Sequence, residues 1–205
     1  MSPRVSDAVA AETRSGIIEA AVRQASMEGL ESVTIGRLAG QLNMSKAGVI
    51  GPFGTKEEMQ LAALEEAILM FTADVWTPVE KIEPGMPRLE AVCESWLDHL
   101  MGDTFPGGCF LTQSATEFDG RPGPVRDRVA NYSSLWEKVL ARDARIAVNK
   151  GDLPVGTDPS QVAFEIGSIA QGVNQAKQLR RRTDARKRGR LAIRRILSPD
   201  RHHSP

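Results

Sequence analysis

The stretch TIGRLAGQLNMSKAGVIGPFGTK, residues 34–56, decides the fold of this chain. Thr34 can cap a short helix with its hydroxyl, and the apolar residues that follow recur with the spacing of one helical face: Ile35, Leu38, Ala39 and Leu42. Asn43 stands where a helix often ends in the left-handed conformation, and Ser45 can cap a second helix that begins at Lys46. The sequence therefore predicts two helices joined by a tight turn, a helix-turn-helix whose second helix can enter a DNA major groove.

The second helix is predicted to be short. Pro52 lacks a backbone N–H and its ring would clash with the carbonyl four residues earlier, so the helix should end near Gly51. The residues that can face the groove are Ser45, Lys46, Ala47, Gly48 and Ile50. Lys46 can donate to guanine or to a phosphate, the apolar members can contact a thymine methyl, and Gly48 lets the backbone approach closely. The alternative is that the helix pair is only a folding unit, in which Lys46 is a solvated charge and Gly48 relieves a packing contact.

Length and composition place the chain among helical globular proteins. Its 205 residues are 41% hydrophobic and 5% aromatic, which is enough for one or two domains with a substantial core. Apolar residues keep a helical spacing along the rest of the chain, and runs typical of strands are hard to find. The sequence therefore predicts an all-α fold.

Charge, cysteine content and hydropathy limit the possible partners. The formal net charge is zero, but eleven Lys or Arg residues stand against two Asp between Lys177 and Arg201. No apolar run approaches the roughly 18 residues that a bilayer needs, which predicts no membrane partner. Cys93 and Cys109, in a chain whose polar start has no signal-peptide pattern, favour reduced thiols in a cytoplasmic compartment.

The residues from Thr13 to Glu66 carry a family resemblance. The shared pattern is a helix ending in E-G, then T-I-x-x-L-A, M-S-K-A-G-V, a Phe and T-K-E-E, at residues 28–29, 34–39, 44–49, 53 and 55–58. This stretch resembles the N-terminal domain of the TetR family of bacterial transcriptional repressors. The resemblance implies phosphate contacts from Thr34 and Arg37 on the first helix of the pair, and from Lys56 at the start of the next long helix.

Two positions depart from the family pattern. The family usually has an aromatic residue and, two residues later, a histidine that both touch phosphates, whereas this chain has Ile50 and Pro52. Neither side chain can donate a hydrogen bond, so those two contacts cannot be carried over. Specificity is then expected to depend partly on DNA shape.

A second pattern lies in the later part of the chain. PGGCF at 106–110 followed by EFDGRPGPVR at 117–126 resembles a TetR-like C-terminal domain found in a subset of the family. The resemblance implies a cavity for a small hydrophobic effector, whose binding changes the separation of the two DNA-binding heads. The implied lining is apolar apart from an amide and a thiol: Phe71, Cys93, Trp96, Phe110, Gln113, Phe118, Trp136 and Phe164. Each of these aromatic residues can equally be a core residue at helical spacing.

The predicted domain organisation follows from these patterns. Residues 1–12 are expected to be disordered, 13–55 to form the helix-turn-helix DNA-binding domain, with Thr13 capping its first helix, 56–198 a helical ligand-sensing and dimerisation domain, and 199–205 a flexible tail. The resemblance implies dimerisation through the last two helices, predicted from Pro159 to Leu179 and from Thr183 to Leu197. A two-fold dimer matches a palindromic operator in double-stranded DNA. The expected protein is a ligand-responsive, homodimeric repressor.

Three alternatives remain open. The basic stretch Arg180–Arg195 is either a second nucleic-acid surface or the solvated outer face of a helix. Cys93 and Cys109 allow a thiol sensor if their Cα atoms lie within about 7 Å. A small helical enzyme is the third, but His99 has no second metal ligand at zinc-site spacing, and the sequence has no phosphate loop or nucleophile elbow. The sequence therefore predicts no enzymatic activity, no cofactor and no metal.

Overall fold

The computed structural model of the chain describes residues 3–198, with side chains from Asp7 onward. All regular secondary structure in this range is helical, which confirms the all-α prediction. The helices are α1 (Pro3–Glu28), α2 (Ile35–Leu42), α3 (Lys46–Ile50), α4 (Lys56–Phe71), a π turn (Thr72–Trp76), α5 (Met86–Met101), α6 (Phe110–Phe118), α7 (Pro124–Lys150), α8 (Pro159–Gln178) and α9 (Ala185–Leu197). The expected flexible tail, 199–205, lies outside the described residues.

The first helix begins earlier than the sequence predicted. Residues 3–12, expected to be disordered, form the first part of α1, so that expectation is wrong for them. Thr13 does not cap the helix, because its hydroxyl donates to the carbonyl of Val9 at 2.8 Å, a contact typical of a threonine inside a helix. Proline suits the first turn of a helix and the run AVAAE at 8–12 has high helix propensity, so a start at Pro3 is favourable. Residues 1 and 2 lie outside the described range.

The helix-turn-helix forms as its capping residues predict. Thr34 Oγ1 and Ser45 Oγ each accept a hydrogen bond from the N–H three residues later, at 3.3 and 3.0 Å. Asn43 ends α2 in the left-handed conformation, with a φ of 53°. The inner faces of α2 and α3 are buried at Leu38, Ala39 and Val49.

The chain groups into two compact units by its internal contacts. Unit 1 contains the chain up to Met70 together with Phe105–Val129, and unit 2 contains Phe71–Thr104 together with the chain from Ala130. Helix α6 therefore belongs to the same unit as the helix-turn-helix, although it is distant from it in sequence. The predicted domain boundary at residue 55 stays a prediction.

Unit 1 is held together where α6, and the loop before it, meet the end of α1. A side chain at Gly107 would place its Cβ 1.6 Å from the backbone oxygen of Ser26, so only glycine fits this close approach. From α6, the Glu117 carboxylate accepts hydrogen bonds from the amides of Leu30 and Glu31, at 2.7 and 2.8 Å. The turn between α1 and α2 is thereby fixed by a residue far along the chain.

Unit 2 packs α5, α8 and α9 together with the later part of α7. Gly189 on α9 approaches its neighbours so closely that an added Cβ would lie 2.5 Å from Val173 and 2.8 Å from Leu97. Arg88 on α5 and Asp143 on α7 form a buried bidentate ion pair, with both N–O distances at 2.7 Å. Close backbone packing and a buried ion pair therefore hold the helices of this unit.

Candidate nucleic-acid interface and effector site

The outer face of α3 presents the residues predicted to meet DNA. Ser45, Lys46 and Ala47 are exposed and Ile50 is half-buried, whereas Val49 is fully buried and anchors the helix. A Cβ at Gly48 would lie 3.2 Å from Ser45 Oγ, so this glycine also makes room for the cap. The face is small and mostly apolar, and it carries one cation.

Lys46 is the cation of this face, and it has no carboxylate partner among the residues that the structure describes. Its aliphatic stem lies against α2, since a Cβ added at Gly36 would be 3.7 Å from Lys46 Cε. The stem is therefore supported while the ammonium group stays in solvent. A lysine placed in this way can donate to a base edge or to a phosphate.

The two other cations predicted to contact phosphates are already paired. Arg37 donates to the Glu28 carboxylate at 2.8 Å, and Lys56 Nζ donates to Glu31 Oε1 at 2.8 Å and to the Glu31 carbonyl at 3.1 Å. The Lys56 hydrogen bond holds the pKa of Glu31 below its usual range. Exposed pairs of this kind contribute roughly 0–1 kcal/mol, so a phosphate can replace the carboxylate at little cost. The phosphate contacts of Thr34, Arg37 and Lys56 stay predictions.

Four aromatic side chains of unit 2, named here the aromatic cluster, meet edge to face. The Phe71 ring centre lies 6.0 Å from that of Trp96 and 5.1 Å from that of Trp136. Trp136 also contacts Trp96 at 5.5 Å and Trp76 at 6.5 Å. Three residues predicted to line the effector cavity therefore come together, and Trp76 joins them.

Two hydrogen-bond donors of the aromatic cluster lack an acceptor. The indole nitrogens of Trp96 and Trp136 are buried, and no acceptor within the described range bonds to either. A buried donor that is left unpaired costs about 1–3 kcal/mol. An acceptor brought by a bound molecule would remove that cost.

The π turn, Thr72–Trp76, carries one side of the aromatic cluster. Such turns are rare in proteins and are frequent at functional sites. Asp74 on this turn accepts a hydrogen bond from Thr104 Oγ1 at 2.6 Å and lies 2.9 Å from His99 Nδ1. The carboxylate therefore ties the π turn to the C-terminal part of α5 and to the loop that follows it.

The other residues predicted to line the effector cavity lie elsewhere. Phe110, Gln113 and Phe118 are on α6 in unit 1, where both phenylalanines are buried. Phe164 on α8 is 60% exposed. Cys93 borders a groove of about 380 Å³ between α5 and α9. A role for these residues in ligand binding stays a prediction.

Two family models match the chain. The model described as bacterial regulatory proteins, tetR family, matches residues 17–63, which contain α2 and α3. The model described as tetracyclin repressor-like, C-terminal domain, matches residues 85–193, which is more than half of the chain. This chain belongs to the TetR family. It is a transcriptional regulator with an N-terminal DNA-binding helix-turn-helix, as its residue pattern predicted.

Solved TetR-family regulators share the fold over nearly the whole chain. A regulator from Cytophaga hutchinsonii is 18% identical, with a TM-score of 0.80 over 93% of this chain and 95% of its own. AibR, in complex with isovaleryl coenzyme A and operator DNA, is 19% identical, with a TM-score of 0.70 over 91% of this chain and 98% of its own. A regulator from Saccharomonospora viridis, in complex with choline, is 21% identical, with a TM-score of 0.77 over 93% and 97% of the two chains. No curated protein matches the sequence.

Sequence reasoning missed three contacts of this TetR-family regulator. Glu117 holds the turn before α2 across a long sequence separation, and Trp76 joins the aromatic cluster through the π turn. Arg14 on α1 places its guanidinium carbon 5.1 Å from the centre of the Phe53 ring. Only Arg14 had a sequence signal, since helical spacing places it one turn before the buried Ile17, at the edge of the buried face of α1.

The two cysteines of this TetR-family chain are buried thiols that are not joined in a disulfide. Burial raises the pKa of the Cys93 thiol, and the carboxylates of Glu94 and Glu90 raise it further. Because the thiolate is the reactive form, this environment makes Cys93 slow to oxidise. The thiol-sensor alternative has no support from this geometry.

The described part of this TetR-family regulator contains neither a candidate metal site nor a candidate membrane-spanning helix. No group of three or more His, Cys, Asp or Glu side chains between residues 3 and 198 is placed to hold a metal ion. None of the helices in that range combines the length and the apolar character needed to cross a bilayer.

Proposed function

We propose that this regulator is a homodimeric repressor that binds a palindromic operator and releases it when a small organic effector binds in unit 2. The observation that carries the proposal is the capped and exposed α3. Its buried Val49 fixes the helix to the core of unit 1, while Ser45, Lys46 and Ala47 point to solvent. A helix with one anchored face and one free face of this kind suits the major groove.

Apolar side chains exposed on the last two helices support the dimer. Phe164 on α8 and Leu191 on α9 are 60% and 48% exposed, and Leu179 at the end of α8 is 79% exposed. Exposed large apolar residues of this kind are typical of surfaces that a partner covers. Because α8 and α9 pack against each other in the protomer, a second copy can contact both of them.

The basic stretch Arg180–Arg195 is better explained as the outer face of a helix than as a second DNA surface. Arg186 and Arg190 both donate to Glu94 on α5, at 3.1 and 2.6 Å. Two further arginines of the stretch pair with Asp184 and hold the pKa of that carboxyl well below its usual range. Several of its cations are therefore already engaged with carboxylates of unit 2.

The aromatic cluster supports the effector-binding part of the proposal. It combines apolar ring surfaces with the unpaired indole N–H groups of Trp96 and Trp136, which suits a small molecule with at least one hydrogen-bond acceptor. Two regulators of the same fold are described in complex with small organic ligands, isovaleryl coenzyme A and choline. Their complexes favour ligand binding in this chain.

The DNA-binding part is tested by selecting bound duplexes from a random pool with the parent protein and with Lys46→Ala. We expect the parent to enrich a palindrome whose half-sites lie about 34–36 Å apart, and the variant to enrich it less strongly. Sedimentation of the parent protein should give the mass of a dimer. A pool without an enriched palindrome, or a protein that sediments as a monomer, would contradict the proposal.

The effector-binding part is tested by a metabolite screen followed by spectroscopy. All three tryptophans of the chain, Trp76, Trp96 and Trp136, belong to the aromatic cluster. Every indole N–H signal in the spectrum of the ¹⁵N-tryptophan-labelled protein therefore reports on this cluster. Compounds that raise the melting temperature are expected to shift the signals of Trp96 and Trp136 and to lower operator affinity. Trp136→Phe should weaken their binding more than the matched variant Trp76→Phe. Stabilising compounds that leave all three signals unchanged would contradict this location.

A further inference from the structure

We propose that Arg14 binds a backbone phosphate of duplex DNA beside the C-terminal end of α3. This inference rests on the proposed DNA-binding function and adds to it a contact from outside the helix-turn-helix. Arg14 lies on α1, before the first residue of the matched N-terminal family region, 17–63. It was not among the residues that the sequence predicted to contact DNA.

The end of α3 has no hydrogen-bond donor of its own for a phosphate. The side chains of Ile50 and Pro52 cannot donate, and the proline has no backbone N–H. The three N–H groups that residues 51–54 do possess all donate to carbonyls of α3, at 2.9, 2.9 and 2.8 Å. A phosphate that approaches here therefore needs a donor from another element.

Arg14 supplies a donor at this place. Its guanidinium carbon lies 5.1 Å from the centre of the Phe53 ring, a distance typical of a cation–π contact. It also borders an open cleft together with Gly51 and Pro52, the residues that end α3. A guanidinium group that stacks on a ring keeps the N–H groups at its edge, which can donate to a phosphate.

The charge of Arg14 is available to DNA. Its side chain is exposed and has no carboxylate within ion-pair distance among residues 7–198. In this it differs from Arg37 and Lys56, which pair with Glu28 and Glu31. A phosphate that binds Arg14 therefore displaces no existing partner, and the counterions released on binding give a salt-dependent gain in affinity.

The salt dependence of binding to a duplex of arbitrary sequence tests this contact, because non-specific affinity comes from phosphate contacts. We expect Arg14→Ala and Arg14→Gln to reduce the slope of log affinity against log salt by about 0.9 per protomer. Arg14→Lys should keep the slope because it keeps the charge. Arg23→Ala is the matched control, since Arg23 is exposed on the same helix but lies on roughly the opposite face.

The competing explanation is that Arg14 only packs on Phe53. In that case Arg14→Ala and Arg14→Gln lower the melting temperature, or lower affinity equally at all salt concentrations, and the slope stays unchanged; this result overturns the inference. Circular dichroism of each variant establishes that it is folded before binding is compared. A parent protein that binds no duplex would overturn the proposed function together with this contact, whereas an unchanged slope in variants of a DNA-binding parent overturns this contact alone.

Discussion

Units 1 and 2 each contain an ion pair between an arginine and a carboxylate, and these two pairs lie in opposite environments. In unit 1, the Arg37 and Glu28 side chains of one ion pair are 51% and 42% exposed. In unit 2, the Arg88 and Asp143 side chains of another are 7% and 1% exposed. An exposed cation can exchange its carboxylate for a phosphate, whereas a buried pair has no alternative partner in solvent. The surface proposed to bind DNA is thus able to change partners, and the frame around the aromatic cluster is fixed.

The largest expected effect comes from removing one member of the buried pair. Arg88→Met leaves the buried Asp143 with only the more distant, exposed Arg142, at 3.8 Å, so the free energy of unfolding in urea should fall by about 3 kcal/mol. The matched variant Arg37→Met breaks the exposed pair and should cost less than about 1 kcal/mol. Replacing both members, as Arg88→Met with Asp143→Leu, should recover most of the loss. Equal losses in the two single variants would remove the contrast between the units.

A smaller effect is expected where unit 1 does contain a partly buried charge. Glu117→Ala removes the acceptor of the Leu30 and Glu31 amides, so the free energy of unfolding should fall by about 2 kcal/mol. Glu117→Gln keeps one acceptor oxygen and should lose less. DNA affinity measured alongside should fall with stability, because the turn that Glu117 holds leads into α2. A glutamine variant as unstable as the alanine variant would argue against the paired hydrogen bonds.

The cap of α3 sharpens the comparison on the exposed side. Ser45→Ala removes the acceptor for the Gly48 N–H and should lower the free energy of unfolding by about 1 kcal/mol. Ser45→Gly should cost only a few tenths of that amount, since solvent can reach the freed N–H. Thermal melting of the two variants beside the parent measures the difference. If both variants melt at the temperature of the parent, the Ser45 hydroxyl contributes nothing as a cap.

The smallest expected effect concerns pH and the exposed pair of Lys56 and Glu31. The Lys56 hydrogen bond lowers the pKa of Glu31 below its usual 4.5. A carboxyl with a lowered folded pKa contributes stability above its unfolded pKa, and this contribution is lost as the pH falls through the folded value. Lys56→Met should therefore be slightly less stable than the parent near neutral pH, and the difference should shrink as the pH drops below 4.5. If the stability difference between Lys56→Met and the parent does not change with pH, the ion pair of Lys56 and Glu31 is not the cause of that difference.

The helix-turn-helix could be predicted because its signals are local. Thr34 and Ser45 bond to N–H groups three residues away, and Asn43 acts through its own backbone conformation. Apolar spacing then identifies the buried side of each helix without knowledge of the rest of the fold. The predicted start of α1 was wrong because the hydroxyl of a threonine can either cap a helix or bond inside one. The sequence alone does not distinguish these two roles for Thr13.

The contacts between distant segments could not be predicted in the same way. The Glu117 carboxylate accepts a hydrogen bond from the Leu30 amide, although the two residues are 87 positions apart in the sequence. No periodic pattern in a sequence links a glutamate on one helix to a turn elsewhere. The family resemblance brought Phe71, Trp96 and Trp136 into one predicted set. Trp76 was missed because its position depends on a π turn, and apolar residues keep the same order in an α-helix and in a π turn.

The π turn, Thr72–Trp76, holds one residue more than an α-helix would need for the same turn. Its hydrogen bond from Thr77 N to Thr72 O, at 2.9 Å, encloses one residue more than an α-helical bond does. Removing a single residue from this turn would restore α-helical pairing and leave the chain beyond it close to its present position, whereas the same deletion in a regular helix rotates the chain beyond it by about 100°. A one-residue deletion can therefore be tolerated in this segment, where a regular helix would turn its buried face away.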